Sequence, residues 1–256
     1  MRPERAPLRL VKPDDRGEVE LGTALIRRFL DIRDADCQEL TFFVRGRISV
    51  AHATSDTQHV RLLKEAERLR GFNGAYLLVN GPIKPAVFHR YPLDRICPAW
   101  NGRVGDADVA LRRAIFIDID PIRPKGISAT DAEKRAAMDV CHAVEQFLVG
   151  ALGVPSALGR GDSGNGCFIL TATEPCASTR ETTLRVNRFL KLLAREFNTD
   201  RVQIDTSVGN AARLMPCPGT WKRKGEDTAE RPHRARLFLV PTARPPHSAG
   251  VHRWLA

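Results

Sequence analysis

The chain has 256 residues, with 40 lysines and arginines against 30 aspartates and glutamates, and a formal net charge of +10 at neutral pH. That length suits one large domain or two small ones with a real apolar core, and the cationic balance favours a polyanionic partner, nucleic acid being the commonest. No apolar run is long enough to span a bilayer, the charged start "MRPERAPLRLVKPDDRG" lacks the apolar centre of a secretory signal, and the six scattered cysteines form no C-x-x-C pair that would point to zinc. A soluble cytoplasmic protein with buried thiols and no membrane partner is expected.

Residues 1–16 read as a flexible basic tail. "VELGTALIRRFLDI" carries apolar residues at helical spacing, and "ELTFFVRGRISVAHAT" reads as two paired strands. "SDTQHVRLLKEAERLR" follows as a surface helix with Val60, Leu63 and Ala66 on its apolar face. "GAYLLVN" is a short buried strand, residues 80–110 form a long Pro/Gly-rich connection, and Arg113 to Asp120 form the next strand. Thr130 and Glu133 have capping-box spacing ahead of a helix with Ala137, Cys141, Val144 and Leu148 on one face, ending near residue 150. "SGNGCFILT" is a glycine-rich turn into a strand, and "STRE" at 178–181 repeats the capping pattern before a helix through Leu190, Leu193 and Phe197. The strand "RVQID" ends at Asp205, "AARLMPCPGTWKRKG" is strand then basic loop, and "RARLFLV" closes a domain spanning 17–240, leaving a loose tail at 241–256. Strands alternating with helices predict an α+β (α/β-type) core in two lobes about a cleft.

The stretch "AIFIDIDPIRPKG" runs from an apolar strand into Asp118 and Asp120. Residues i and i+2 of a strand share a face, so both carboxylates aim at one point, and their repulsion costs free energy unless a cation sits there. A strand ending in solvent is the bland reading; a divalent metal site completed by a further acid is the sharp one. Asp205, ending a second apolar strand, is the candidate third ligand, although it also suits a strand-end turn. Three carboxylates at one sheet edge hold divalent ions between protein and substrate phosphates. Downstream lies a cationic bank of Arg213, Lys222, Arg223, Lys224, Arg231 and Arg234, suited to a triphosphate or equally to ion pairs and a solvated loop. The turn "GDSGNGCF" is either a plain hairpin or a cup whose N–H groups take an anion.

In their order, "AIFIDIDPIRPKGISATDAEKRAA", "DSGNGCF" and "VQIDTSVGNAARLMPCPGTWKRKGEDTAERPHRARL", with "DADVALRR" and "GAYLLVN" more weakly, resemble the archaeo-eukaryotic primase superfamily. The likeness is to the primase-polymerase domains of phages, plasmids and bacterial mobile elements, and it spreads over most of residues 70–240. The resemblance implies an RRM-like catalytic sheet with an accessory α/β lobe, and Asp118, Asp120 and Asp205 as ligands of Mg²⁺ or Mn²⁺ in a two-metal site. It implies phosphate contacts by Arg213, Lys222 and Lys224; beside it, the glycine turn offers Ser163, Asn165 and Gly166 as further nucleotide contacts, and the cationic cluster offers Arg223, Arg231 and Arg234 to nucleic acid. The family's second motif places a phosphate-contacting histidine where this chain has Phe168, and "MPC" before Pro218-Gly219-Thr220 is also atypical.

The function expected is that of a template-dependent DNA primase/polymerase, acting on NTPs or dNTPs and single-stranded DNA in replication of a mobile element or bacterial genome. No helicase domain is visible in the chain, so a replicative helicase would be a separate partner. The rivals are a degenerate relative that binds nucleic acid without turnover, which Phe168 favours, and a metal-dependent nuclease, which has less need of the cationic bank.

Overall fold

The computed structural model describes residues 18–34, 36–81, 83–152 and 158–239. The expected tails at 1–16 and 241–256 lie outside these residues. In chain order the elements begin with α1 (Glu18–Phe29), β1 (Gln38–Val44), β2 (Arg47–Ala53), α2 (Asp56–Glu67), β3 (Phe72–Leu78) and β4 (Cys97–Pro98). They continue with β5 (Leu111–Pro121), α3 (Asp131–Leu152), β6 (Leu158–Asp162), β7 (Cys167–Ala177) and α4 (Arg180–Phe197). Five short strands end the described chain: β8 (Val202–Ile204), β9 (Leu214–Pro216), β10 (Trp221–Lys222), β11 (Arg234–Ala235) and β12 (Leu237–Leu239). No helix among the described residues is long and apolar enough to cross a membrane.

Two five-stranded sheets carry the molecule, a first in the order β4-β2-β1-β3-β9 and a second in the order β12-β6-β7-β5-β8, with β10 and β11 as a small ribbon. Pairing between these strands is antiparallel. The mixed α/β architecture with two lobes is the one the alternating pattern predicts. The lobes are not consecutive in sequence, however: β9, late in the chain, adds to the edge of the first sheet through Tyr76↔Pro216 and Leu78↔Leu214. That crossover brings the residues after Asp205 to the first sheet as well as the second.

The second sheet buries Ile115, Ile117 and Ile119 on one face of β5, and α3 packs against this strand and β7, with Ala137, Cys141, Val144 and Leu148 in the core. The reciprocal box at the start of α3 is present: Thr130 N–H donates to Glu133 Oε2 at 2.8 Å and Glu133 N–H to Thr130 Oγ1 at 3.1 Å. The box before α4 lies one residue later than the "STRE" reading. Thr179 caps by accepting from the Thr182 N–H, because Thr182 offers a hydroxyl in return, while Glu181 pairs with Arg185 at 2.7 Å. In α2 the buried stripe is His59, Leu62, Leu63 and Ala66, with Val60 at its margin.

The 80–110 connection is pinned to the first sheet by a buried acid. Both Glu39 carboxylate oxygens accept from the Val104 N–H, at 3.0 and 3.1 Å, and His52 Nε2 lies 3.4 Å from the same carboxylate. All six cysteines are free thiols, five of them buried.

Candidate active site

β5 runs in the interior of the second sheet, between β7 and β8. Since its odd-numbered isoleucines face the helices, Phe116, Asp118 and Asp120 project from the opposite face. Both aspartates are partly buried, and among the described residues burial and charges at a distance, not a hydrogen bond, act on the Asp118 carboxylate. Burial and then the Asp120 charge push Asp118 up to about 8, with Asp205 adding to the rise and Arg213 and Lys222 opposing it. A carboxyl so placed wants a counter-charge, which the protein itself supplies only in part.

Asp205 follows β8 directly. Its N–H donates to Asp118 O at 2.9 Å, which continues the β5–β8 ladder and sets Asp205 beside the pair on the same face. Its carboxylate is turned onto Ser207, accepting from the N–H at 2.8 Å and the hydroxyl at 2.6 Å. No three histidine, cysteine, aspartate or glutamate side chains among the described residues are grouped as ligands of one ion. The two aspartates that line the cleft together are Asp118 and Asp120. Two such carboxylates are oxygen donors of the kind that could hold a divalent cation such as Mg²⁺.

The pair opens into a cleft of about 490 Å³. Tyr76, Leu214 and Pro216 of the first sheet form its far side, and Arg213, Lys222, Lys224, Arg123 and Arg236 its cationic wall. Arg213 lies over the Phe116 ring at 6.0 Å, with its Nε unpartnered. Lys222 donates to the Tyr76 hydroxyl, its ammonium 5.0 Å from that ring's centre. Burial tends to raise the Tyr76 pKa, but Arg236 and Lys222 outweigh it and leave the phenol lowered. Burial, reinforced by Arg123 and Lys222, lowers Lys224.

The glycine turn is a β6–β7 hairpin loop, and it also lines the cleft. Ser163 N–H donates to Gly166 O at 3.1 Å and Gly166 N–H to Ser163 Oγ at 3.0 Å. Asn165 is buried; its Oδ1 accepts from the Ala129 N–H at 2.9 Å, while its Nδ2 has no partner. A Cβ at Gly166 would stand 2.4 Å from Ile119 O and 2.8 Å from Asp120 Oδ1. Only glycine lets this loop lie against the acid pair.

The other cations expected to meet nucleic acid are engaged elsewhere or sit outside the cleft. Arg231 forks onto Glu133 at 2.9 and 3.0 Å, and Arg234 pairs with Asp131 at 2.6 Å, so both tie the 225–235 segment to the start of α3. Arg223 lies over the Phe72 ring at 5.9 Å. Phe168 is opposite Asp118 across the β5–β7 ladder, hence on the site's face, yet it is fully buried. Its ring stacks on Phe238 at 6.0 Å and meets Phe116 at 5.2 Å. It also covers Gly161, where a Cβ would fall 2.0 Å from Phe168 Cζ. The side chain is part of the core beneath the cleft.

Sequence reasoning missed Tyr76 and Arg236 as site residues. Arg236 is the largest fully buried side chain among the described residues, stacked over Tyr76 at 4.6 Å. Its Nη1 donates to Thr220 Oγ1 at 3.0 Å and to Ala75 O, and its Nε and Nη2 have no partner. An arginine inside the apolar run "RARLFLV" was the available signal.

No family model matches the chain, and no curated protein matches it. Among solved structures the chain is similar to the primase-polymerase domain of cyanophage S-2L, at 16% identity over 94% of this chain and 98% of that one, with a TM-score of 0.49. It is similar to primase RepB′ at 12% identity over 91% of this chain and 60% of that one, TM-score 0.43. It is also similar to the polymerase domain of Mycobacterium tuberculosis ligase D, in complex with DNA, at 14% identity over 85% and 78%, TM-score 0.43.

Proposed function

We propose that the chain is a template-dependent nucleotidyltransferase that joins NTPs or dNTPs to the 3′ end of a strand paired to single-stranded DNA. One observation carries this reading: an acid pair whose charge the protein offsets only in part faces a wall of Arg213, Lys222 and Lys224 across one cleft. Such a cleft is built for a polyanion that brings cations with it. In the reaction the 3′ hydroxyl loses its proton to water as its oxygen bonds to the α-phosphorus, the bond from that phosphorus to the bridging oxygen breaks, and pyrophosphate leaves. Arg213, Lys222 and Lys224 hold the β- and γ-phosphates and take up the charge that develops on the leaving group. The Asn165 amide and the Ser163 hydroxyl supply neutral donors at the same wall. Asp118 and Asp120 are the residues that would hold Mg²⁺ or Mn²⁺, with Asp205 beside them as a further ligand for a second ion. When bound, the metal lowers the pKa of the attacking hydroxyl and neutralises phosphate charge.

Incubation with a primed template, labelled nucleotides and Mg²⁺ or Mn²⁺ tests this. Extension is expected from the wild type and none from Asp118→Asn. Shortening of the labelled strand identifies a nuclease instead. Binding without extension supports a second reading, favoured by Phe168: a replication module that keeps fold and charge without turnover. A buried phenyl ring cannot donate to a phosphate.

A further inference from the structure

The face of the first sheet that looks into the cleft continues outward as an apolar strip, half-buried at Tyr76 and Phe43 and exposed at Ile48 and Trp100. Tyr76, at the cleft, meets Phe43 edge to face at 5.3 Å, and Phe43 is the cross-strand partner of Ile48, which is 39% exposed. Beyond Ile48 lies Trp100, 60% exposed, on the turn after β4, where Ala99 N–H donates to Ile48 O at 3.1 Å. Trp100 is not loose. Its ring packs at 5.3 Å on buried Tyr91, whose hydroxyl donates to Gly102 O at 3.0 Å and accepts from the Asn101 N–H at 2.8 Å. Tyr91 in turn lies on His52, which the register places on the same sheet face as Phe43 and Ile48. From Tyr76 to Trp100 the strip crosses three strand spacings, about 14 Å.

The two segments that build the strip, residues 41–54 and 95–105, contain Arg45, Arg47, Arg95 and Arg103 and no aspartate or glutamate. An apolar strip whose own two segments carry four arginines and no acid, and which leads from a polyanion cleft, matches unpaired bases on a phosphate backbone. The geometry points to this strip as the track on which the single-stranded template leaves the cleft, its bases stacked on Trp100 and on the Phe43–Ile48 surface, its phosphates against these arginines. The inference rests on the cleft's proposed function and adds to it the path of the nucleic-acid partner.

The test measures binding of oligothymidylates of about 4 to 16 nucleotides by fluorescence anisotropy. Trp100→Ala weakens binding of the longer oligomers roughly 5- to 100-fold, while Trp100→Phe restores most of it. Arg47→Ala with Arg103→Ala reduces the slope of log affinity against log salt by about 1.4. All three side chains reach solvent, and melting curves report whether each variant is folded. In parallel, dTTP with Mn²⁺ is titrated into wild type and Trp100→Ala, and equal nucleotide affinity is expected. If dTTP binding and extension are absent while Trp100→Ala still weakens DNA binding, the reading of the cleft fails and the track stands. A wild type that binds no oligothymidylate, or a Trp100→Ala that binds like wild type, overturns the track. So does a Trp100→Ala that loses self-association in sedimentation with DNA affinity unchanged, which would make the strip a protein interface.

Discussion

Glu39 and Asp118 are both acids on interior strands of five-stranded sheets, and their surroundings are opposite. Glu39 is buried, accepts twice from the Val104 N–H and has His52 beside it. Everything it needs is supplied by the chain, and its effect is to hold the 80–110 connection on the first sheet. Asp118 has Asp120 and Asp205 as neighbours, raised to about 8 by burial and by their charge. The cations it senses, Arg213 and Lys222, stay on the far wall without closing an ion pair with it. A buried charge that the protein completes is architecture, because breaking it leaves an unpaired group in low dielectric. A charge that the protein leaves incomplete stores a demand that a ligand meets. The same distinction separates Arg231 and Arg234, paired with Glu133 and Asp131, from Arg213 and Arg236, which retain unpartnered donors.

Substitution at the two acids is the sharpest way to break this contrast. Asp118→Asn is expected to lower nucleotide incorporation at least about a hundredfold, with no loss of melting temperature. A variant that melts lower and still extends primers would put Asp118 on the architectural side. Glu39→Gln should behave in the opposite sense. It keeps the shape but removes a buried charge from its donors, so it should lose roughly 2–4 kcal/mol in denaturant unfolding. The turnover number of the protein that stays folded should be unchanged.

Phe168→His is a smaller perturbation of the core beneath the pair. The imidazole would sit among Phe116 and Phe238 and over Gly161 with no partner for its nitrogens, costing roughly 1–3 kcal/mol. It should leave the apparent nucleotide KM unimproved. An increase in kcat or a lower KM in a folded Phe168→His would mean that this position reaches the nucleotide after all.

The smallest effect expected is one of pH. A carboxyl whose folded pKa lies above its unfolded one favours the native state fully only below the unfolded value. That advantage drains away as pH rises through the folded value. For Asp118 the window runs from the ordinary carboxylate range to about 8. Across it the melting temperature of metal-free wild type should fall progressively behind that of Asp118→Asn, by about 2–4 °C for each kcal/mol, and then hold level. Added Mg²⁺ should close the gap. A constant difference across this range would show that Asp118 is not stressed by its neighbours.

Local pattern determined much of this protein. The alternation of Ile115, Ile117 and Ile119 with Phe116, Asp118 and Asp120 is a property of strand geometry, so the shared face of the acid pair followed from six residues. The Thr130–Glu133 box and the apolar face of α3 are likewise contacts within one or two turns. Tertiary structure alone decided which cations face the acids. Lys222 and Lys224 reach the cleft because β9 joins the edge of the first sheet and the β10–β11 ribbon follows it, while Arg231 and Arg234, in the same basic run, meet Glu133 and Asp131 first. It also decided that Phe168 is core, through Gly161, Phe116 and Phe238, and that Arg236 and Tyr76 line one cleft although 160 positions apart. Periodicity fixes the face on which a side chain stands, since that depends on its own backbone. Its partners depend on where distant strands pair, and that is settled only when the whole chain packs.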